Sequence, residues 1–522
     1  MNTENKIPTF EEIQKDIERL KQKYGDRMDV KFGISHPGTQ QDKRKEEPTT
    51  DKALELHFDY KPKDIKAYLD RYVIKQDSAK KALSIAICDH YNHVMECERN
   101  PKVRDEEYTK QNIIMIGPTG VGKTYLIRTL AKLIGVPFVK ADATKFSETG
   151  YVGGNVEDLV RDLVTQANGD LRLAQYGIIY LDEVDKIATP SNIIGRDVSG
   201  RGVQMGLLKL MEETEVDLRA TYDITSQMQA VMEFQQKGKV EKQIVNTRHI
   251  LFIVSGAFNG LKDIIKKRLN QSRMGFSAEI QSKKNEADYF QSVTSKDFVE
   301  FGFEPEFIGR LPVHVVCQEL SVDDLYQILK HSEDSIIKQY ENSFRAYGID
   351  ALFSDEGLRH IAEKAYEEHT GARGLVTVCE RILREFKYEL PSSSVRQFVV
   401  TDDVIENPVN ELQKLLQEPD YNKKLVIQEQ IRRYEVGFFS KHGITIKFDS
   451  DAMSSITEQA MNNGVTPQQI CDDILRSYEH GLNLIKKNTG QDDFILTQEV
   501  IENPDKVLER WIRDSYSQKS KG

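Results

Sequence analysis

The sequence predicts an α/β protein: a parallel-sheet large domain, a small α/β domain and a second copy of that small domain at the C-terminus. Three observations predict it. An apolar run, Ile113-Ile114-Met115-Ile116, leads into Gly117-Pro118-Thr119-Gly120-Val121-Gly122-Lys123-Thr124, and an amphipathic run from Tyr125 to Leu133 follows. A second apolar run, Gly177-Ile178-Ile179-Tyr180-Leu181, ends in Asp182-Glu183. The chain beyond Tyr340 repeats itself from Tyr434.

Strand, glycine-rich loop and helix, in that order, form the context of a P-loop. Glycines lack a Cβ, so backbone N–H groups can close around phosphate oxygens. The helix that starts there turns its positive end to the same oxygens. Lys123 is expected to reach the β- and γ-phosphates of ATP, and the Thr124 hydroxyl to ligate Mg²⁺. Buried acids at a strand tip are costly unless they hold a cation or serve chemistry. With a P-loop about sixty residues upstream, Asp182-Glu183 reads as a Walker B element. Asp182 is expected to hold Mg²⁺ through water, and Glu183 to polarise the attacking water.

The remaining elements follow in order. Thr9-Phe10-Glu11-Glu12 reads as a capping box, and Phe10, Ile13, Ile17, Leu20 and Tyr24 recur at helical steps. That helix either packs on its own chain or docks a partner. Residues 36–54 are polar and Pro-containing, a linker. Helices are expected from Lys61 and over Ser78 to Met95, with Ile65, Leu69 and Tyr72 on one face. The turn Tyr72-Val73-Ile74 is either core or an adenine pocket. Val136 to Val139 reads as a short strand. Tyr151-Val152 between glycines is either a half-buried turn or a mobile loop bearing an exposed aromatic. Residues 214–247 read as a long excursion. Ile250 to Val254 is a buried strand, and Ser255 at its tip is either a phosphate or water contact or ordinary turn chemistry. Met274-Gly275-Phe276 places large apolar residues in a polar stretch, a pattern of partner contacts or of a Phe tucked onto its own domain. Arg310 lies in a Gly/Pro-punctuated turn, where it could reach a neighbouring subunit's phosphates or form a surface salt bridge. Arg373 opens a helix.

The formal net charge of −11 argues against nucleic acid as the main partner, since phosphate neutralisation needs a basic surface. The five cysteines form no CxxC pair, so neither a zinc module nor a disulfide framework is indicated, and buried reduced thiols are expected. The N-terminus has no apolar signal core and no apolar run approaches a membrane span. Those two readings place the protein in the cytoplasm.

In the repeat, Tyr340-Glu341 matches Tyr434-Glu435, Phe353-Ser354-Asp355 matches Phe448-Asp449-Ser450, and Cys379-Glu380 matches Cys471-Asp472. Val404-Ile405-Glu406-Asn407-Pro408 returns as Val500-Ile501-Glu502-Asn503-Pro504. Each copy reads helix, strand, helix, helix, strand. Where the first copy carries Gly371-Ala372-Arg373-Gly374, the second has no arginine. The duplicate is therefore expected to keep the fold without touching nucleotide. The expected boundaries are 1–57 (N-terminal helix and linker), 58–317 (large domain), 318–410 (small domain) and 411–522 (degenerate second copy).

These motifs, in this order, resemble the ClpX family of AAA+ protein unfoldases over roughly residues 61–408. The resemblance also rests on Ala141-Asp142-Ala143-Thr144, Gly150-Tyr151-Val152-Gly153, Gly202-Val203-Gln204 and Glu306 to Pro312. It implies an ATP-hydrolysing homo-hexamer with Mg²⁺, with nucleotide between subunits. Tyr151 and Val152 would line the pore and pull protein substrates through it. Arg310 would be the trans-acting finger and Arg373 the small-domain sensor. Met274-Gly275-Phe276 falls where the family docks a ClpP-type peptidase. The chain departs from the family in lacking a match to the zinc-binding N-domain and the Arg-Lys-His triplet of the second pore loop. Arg201 replaces an acid, Met274 replaces a branched residue, and the duplicated small domain is additional. An unfoldase feeding a peptidase is the first reading. A stand-alone remodelling chaperone and an ATP-gated scaffold are the alternatives.

Overall fold

The computed structural model describes residues 58–104, 108–146, 154–189, 198–218, 243–271 and 289–519, all within one compact unit, Leu56–Gly522. The N-terminal helix, Tyr151-Val152 and Met274-Gly275-Phe276 lie outside the described residues. Among the described residues no helix is long and apolar enough to cross a membrane.

Helix α1 (Pro62–Tyr72) and α2 (Asp77–Arg99) precede the sheet. The five main strands are β1 (Ile113–Ile116), β2 (Phe138–Asp142), β3 (Ile178–Asp182), β6 (Leu251–Gly256) and β7 (Val313–Val316). They form one parallel sheet in the order β2-β3-β6-β1-β7. Side chains alternate faces along each strand, and the core divides accordingly. Ile113, Met115, Ile178, Tyr180 and Ile253 pack with α1, α2 and α3 (Lys123–Ile134). Ile114, Ile116, Ile179, Leu181 and Val254 pack on the opposite face. Each such fully buried aliphatic side chain contributes roughly 2 kcal/mol of burial free energy.

Two expectations are corrected here. Strand β2 starts at Phe138 and runs on to Asp142, beyond the apolar stretch; pairing with β3 carries it through Lys140 and Asp142 despite their polarity. The region read as an excursion has structured ends, β4 (Glu215–Asp217) antiparallel to β5 (Ile244–Asn246). Val216 and Val245 are buried beneath that ribbon, so two single anchors hold strands too short for a periodic signal. All five cysteines are free and buried.

The repeat is visible in the hydrogen bonds. The first copy runs α4 (Ile336–Arg345), β8 (Asp350–Phe353), α5 (Asp355–Glu367), α6 (Ala372–Glu389) and β9 (Gln397–Val400). The second runs α7 (Pro419–His442), β10 (Thr445–Phe448), α8 (Ser450–Asn463), α9 (Pro467–Ile474), α10 (Tyr478–Thr489) and β11 (Asp493–Leu496). Both two-stranded sheets are parallel. Tyr340 Oη donates to Glu380 at 3.2 Å, and its counterpart Tyr434 Oη donates to Asp472 at 2.9 Å. Ser354 caps α5 through the Gly357 N–H as Asp449 caps α8 through the Ala452 N–H.

The copies differ in the third helix, which is continuous in the first and broken after Ile474 in the second. The break lets Tyr478 turn into the core, where its hydroxyl donates to the Pro504 carbonyl and its ring meets Trp511 edge-on. The first copy shares one apolar cluster with the sheet's α1–α3 face, whereas the second has its own.

Candidate nucleotide site

The P-loop leaves the C-terminal end of β1, and in open parallel sheets ligands bind outside such ends. Gly120 and Gly122 have φ of +79° and +95°, the left-handed region that glycine enters without strain. The Gly117 N–H donates to the Gly256 carbonyl at 3.3 Å, tying the loop to the tip of β6. Lys123 is 8% exposed, and its ammonium donates to the Gly117 and Pro118 carbonyls at 2.6 and 2.8 Å. Burial pulls its pKa below the ordinary lysine value.

A cavity of about 380 Å³ opens over this loop. Its lining brings together Thr119, Gly120, Gly122, Lys123 and Thr124 with Asp182, Glu183 and Arg373. The donor set suits a polyphosphate: an ammonium, a guanidinium and a loop of backbone N–H groups at a helix start. The Thr124 hydroxyl and the Asp182 carboxylate, 3.3 Å apart, suit a hard divalent cation, which takes oxygen ligands.

Asp182 is held from several sides. Ser255 Oγ donates to Oδ1 at 2.7 Å, the Glu183 N–H donates to the same oxygen at 3.2 Å, and Lys140 Nζ stands 3.2 Å from Oδ2. Burial pushes this carboxyl upward, but the Ser255 and Lys140 contacts outweigh it and hold the pKa below the usual carboxylate range. Glu183 has φ +57°, in the left-handed region that non-glycine residues enter at a cost of about 1 kcal/mol. Such local strain concentrates at functional sites.

Ser255 is fully buried and paired with Tyr180 Oη at 2.6 Å. It orients Asp182 and does not line the cavity; the polar side chain after β6 that does is Asn259. Sequence reasoning missed Lys140, Tyr180, Asp185 and Asn259. Of these only Asp185 carried a signal, as a second acid just past the strand. It is buried, and its carboxylate accepts from the Phe258 N–H at 3.3 Å.

The small domain closes the site directly. The Ala372 N–H at the start of α6 donates to the Gly120 carbonyl at 2.9 Å. A Cβ at Gly120 would stand 2.0 Å from the Thr370 carbonyl oxygen. Gly120→Ala is therefore expected to push α6 away and to weaken ATP binding about 10-fold. Calorimetric titration of the variant checks this.

Tyr72, Val73 and Ile74 do not line the cavity. Val73 is buried in the core, and Tyr72 packs against Tyr68. The turn that follows, Lys75 and Gln76 at φ +59° and +60°, reaches the site through Gln76, whose amide bonds to the Gln318 backbone at 2.7 Å and to the Val121 carbonyl at 3.5 Å. Arg310 lines a different cavity, where its guanidinium pairs with Glu212 at 2.6 Å. Among the described residues, none of the C-terminal copy lines the P-loop cavity.

A parallel sheet with a P-loop on β1, paired acids at the tip of β3 and a small domain clasping the loop defines an AAA-type P-loop ATPase. A family model, AAA domain (Cdc48 subfamily), matches residues 108–314, and the C-terminal, D2-small domain of ClpB protein matches residues 320–393. The chain is 41% identical over 350 residues to the ATP-dependent Clp protease ATP-binding subunit ClpX of Borrelia duttonii, covering 66% of this chain and 78% of the relative. It is 39% identical over 343 residues to the protein of the same name from Treponema denticola, covering 65% and 79%. The chain belongs to the ClpX family and is an ATPase.

Proposed function

We propose that this protein is an ATP-driven unfoldase that assembles as a homo-hexamer, draws protein substrates through its axial pore and feeds a ClpP-type peptidase. Its proposed domains keep the boundaries 1–57, 58–317, 318–410 and 411–522, and its proposed location is the cytoplasm. The observation that carries the mechanical reading is the contact of α6 with the P-loop. Arg373 and Lys123 line one cavity, which supports a coupling between nucleotide state and the angle of the small domain.

Lys123 and the P-loop N–H groups bind the phosphates; Thr124, and Asp182 through water, would hold Mg²⁺, which would neutralise phosphate charge. Glu183 takes up the proton of the attacking water, and Arg373 reports the γ-phosphate to the small domain. The Tyr72-Val73-Ile74 turn, which lies outside the phosphate cavity, would meet the base only beyond that cavity, next to Gln76 and its contact with Val121. Arg310 acts on a neighbouring subunit; its place in a separate cavity, 55% exposed, supports a trans role. Tyr151 and Val152 grip substrate, and Met274-Gly275-Phe276 docks the peptidase.

Folded domains are stable by only about 5–15 kcal/mol, so repeated ATP-driven pulling suffices to open them. Tyr151→Ala is expected to keep at least about half of the ATPase rate while abolishing unfolding of a fluorescent substrate protein. Equal loss of both activities would remove the gripping role.

A second reading, a remodelling chaperone without a peptidase, is favoured by one observation. The C-terminal copy has its own core but, among the described residues, none in the nucleotide cavity, which suits a docking module.

A further inference from the structure

We infer that Lys140 is a resident cation beside the proposed metal ligands, just outside the cavity lining, a positioning residue that takes over part of the work of the divalent metal when nucleotide binds without it. The inference rests on the proposed use of Asp182 and Thr124 as metal ligands.

Lys140 lies on β2 directly opposite Tyr180 of β3, and Asp142 lies opposite Asp182. Residues two apart on a strand share a face, so the Lys140 side chain runs along the same side of the sheet as Asp182. Its ammonium stands 3.2 Å from Asp182 Oδ2 and 3.5 Å from Thr124 Oγ1. It therefore contacts both groups proposed to bind the metal. Ser255 and the Glu183 N–H occupy the other carboxylate oxygen, Oδ1. Oδ2, shared by Lys140 and Thr124, is the oxygen on the P-loop side.

An isolated surface ion pair is worth little, but this one is not isolated. Its acid is partly buried beside a site that must receive a polyanion. Two consequences follow from charge alone. Without Mg²⁺, a triphosphate approaching Asp182 meets like charge, and the Lys140 ammonium lowers that repulsion. With Mg²⁺, the two cations compete for one carboxylate, so Lys140 weakens metal binding. Both effects make nucleotide binding less dependent on Mg²⁺. The Lys140 side chain is 36% exposed on a flexible stem, so it can withdraw as the metal enters.

The test is the affinity of the full-length chain for a fluorescent ATP analogue, measured in excess Mg²⁺ and in EDTA. Lys140→Met should bind within about 3-fold of wild type in Mg²⁺ and at least about 10-fold more weakly in EDTA, the scale of one lost charge-assisted contact. Lys140→Arg should restore wild-type behaviour in both buffers, which a role in packing alone would not predict. Normal binding of Lys140→Met in Mg²⁺ also shows that the variant is folded. If wild type and Lys140→Met lose affinity in the same proportion on moving to EDTA, the inference is overturned while the metal reading stands. If neither responds to Mg²⁺, both the inference and the metal role of Asp182 fall.

Discussion

Glu183→Gln is expected to bind ATP and to hydrolyse it with kcat lowered at least about 100-fold, the range expected when a positioned general base is lost. The substitution keeps size and backbone and removes the carboxylate that would accept the water's proton. Nothing in the phosphate cradle depends on that carboxylate: Lys123 bonds to Gly117 and Pro118, and Asp182 is held by Ser255, Lys140 and the Glu183 backbone N–H. ATP affinity should therefore stay within about 3-fold of wild type. Single-turnover hydrolysis alongside an ATP titration separates the two quantities. A parallel loss of binding would show that Glu183 shapes the pocket instead of acting on water.

The second large effect concerns Arg310. Arg310→Ala should cut hydrolysis about 1000-fold, as the loss of an arginine finger does, with binding little changed. The guanidinium is paired with Glu212 and lies outside the cavity that holds Lys123, so the proposed contribution is one made to the site of an adjacent copy. That geometry allows a decisive mixture. Glu183→Gln subunits carry an intact Arg310, and Arg310→Ala subunits carry an intact Glu183. Mixed together, the two inactive proteins should regain part of the ATPase rate at the interfaces where the two intact groups meet. Absence of any recovery in mixed hexamers would place Arg310 in cis or make its salt bridge merely structural.

What could be read in the sequence, and what could not, follows the range of each interaction. The P-loop and the Asp182-Glu183 tip were legible because their chemistry needs fixed residue types at short spacing, flanked by apolar runs that pack on both faces of the sheet. The repeat was legible because its residues recur in the same order, and two matched pairs, Tyr340/Glu380 and Tyr434/Asp472, make the same hydrogen bond. Lys140 was not legible, because its contact with Asp182 depends on the register of β2 against β3, and an isolated lysine after Phe138-Val139 reads as a solvated strand end. The docking of Ala372 onto Gly120 joins residues on two domains, and no local pattern announces it. Ser255 looked equally suited to phosphate contact or to a turn. Only the packing of β6 between β1 and β3 turns its hydroxyl to the Asp182 carboxylate. The helix break before Tyr478 was hidden because residues 475–477 contain neither Gly nor Pro, and tertiary burial of the tyrosine overrides the local preference.

The most direct measurement is the solution mass of the Glu183→Gln protein with ATP, alone and mixed with a ClpP-type peptidase from the same source. An ATP-held hexamer that forms a larger particle with the peptidase is the predicted result. A hexamer that leaves the peptidase free would contradict the proteolytic role and point to remodelling through the C-terminal copy, and a monomer in ATP would contradict the ring itself.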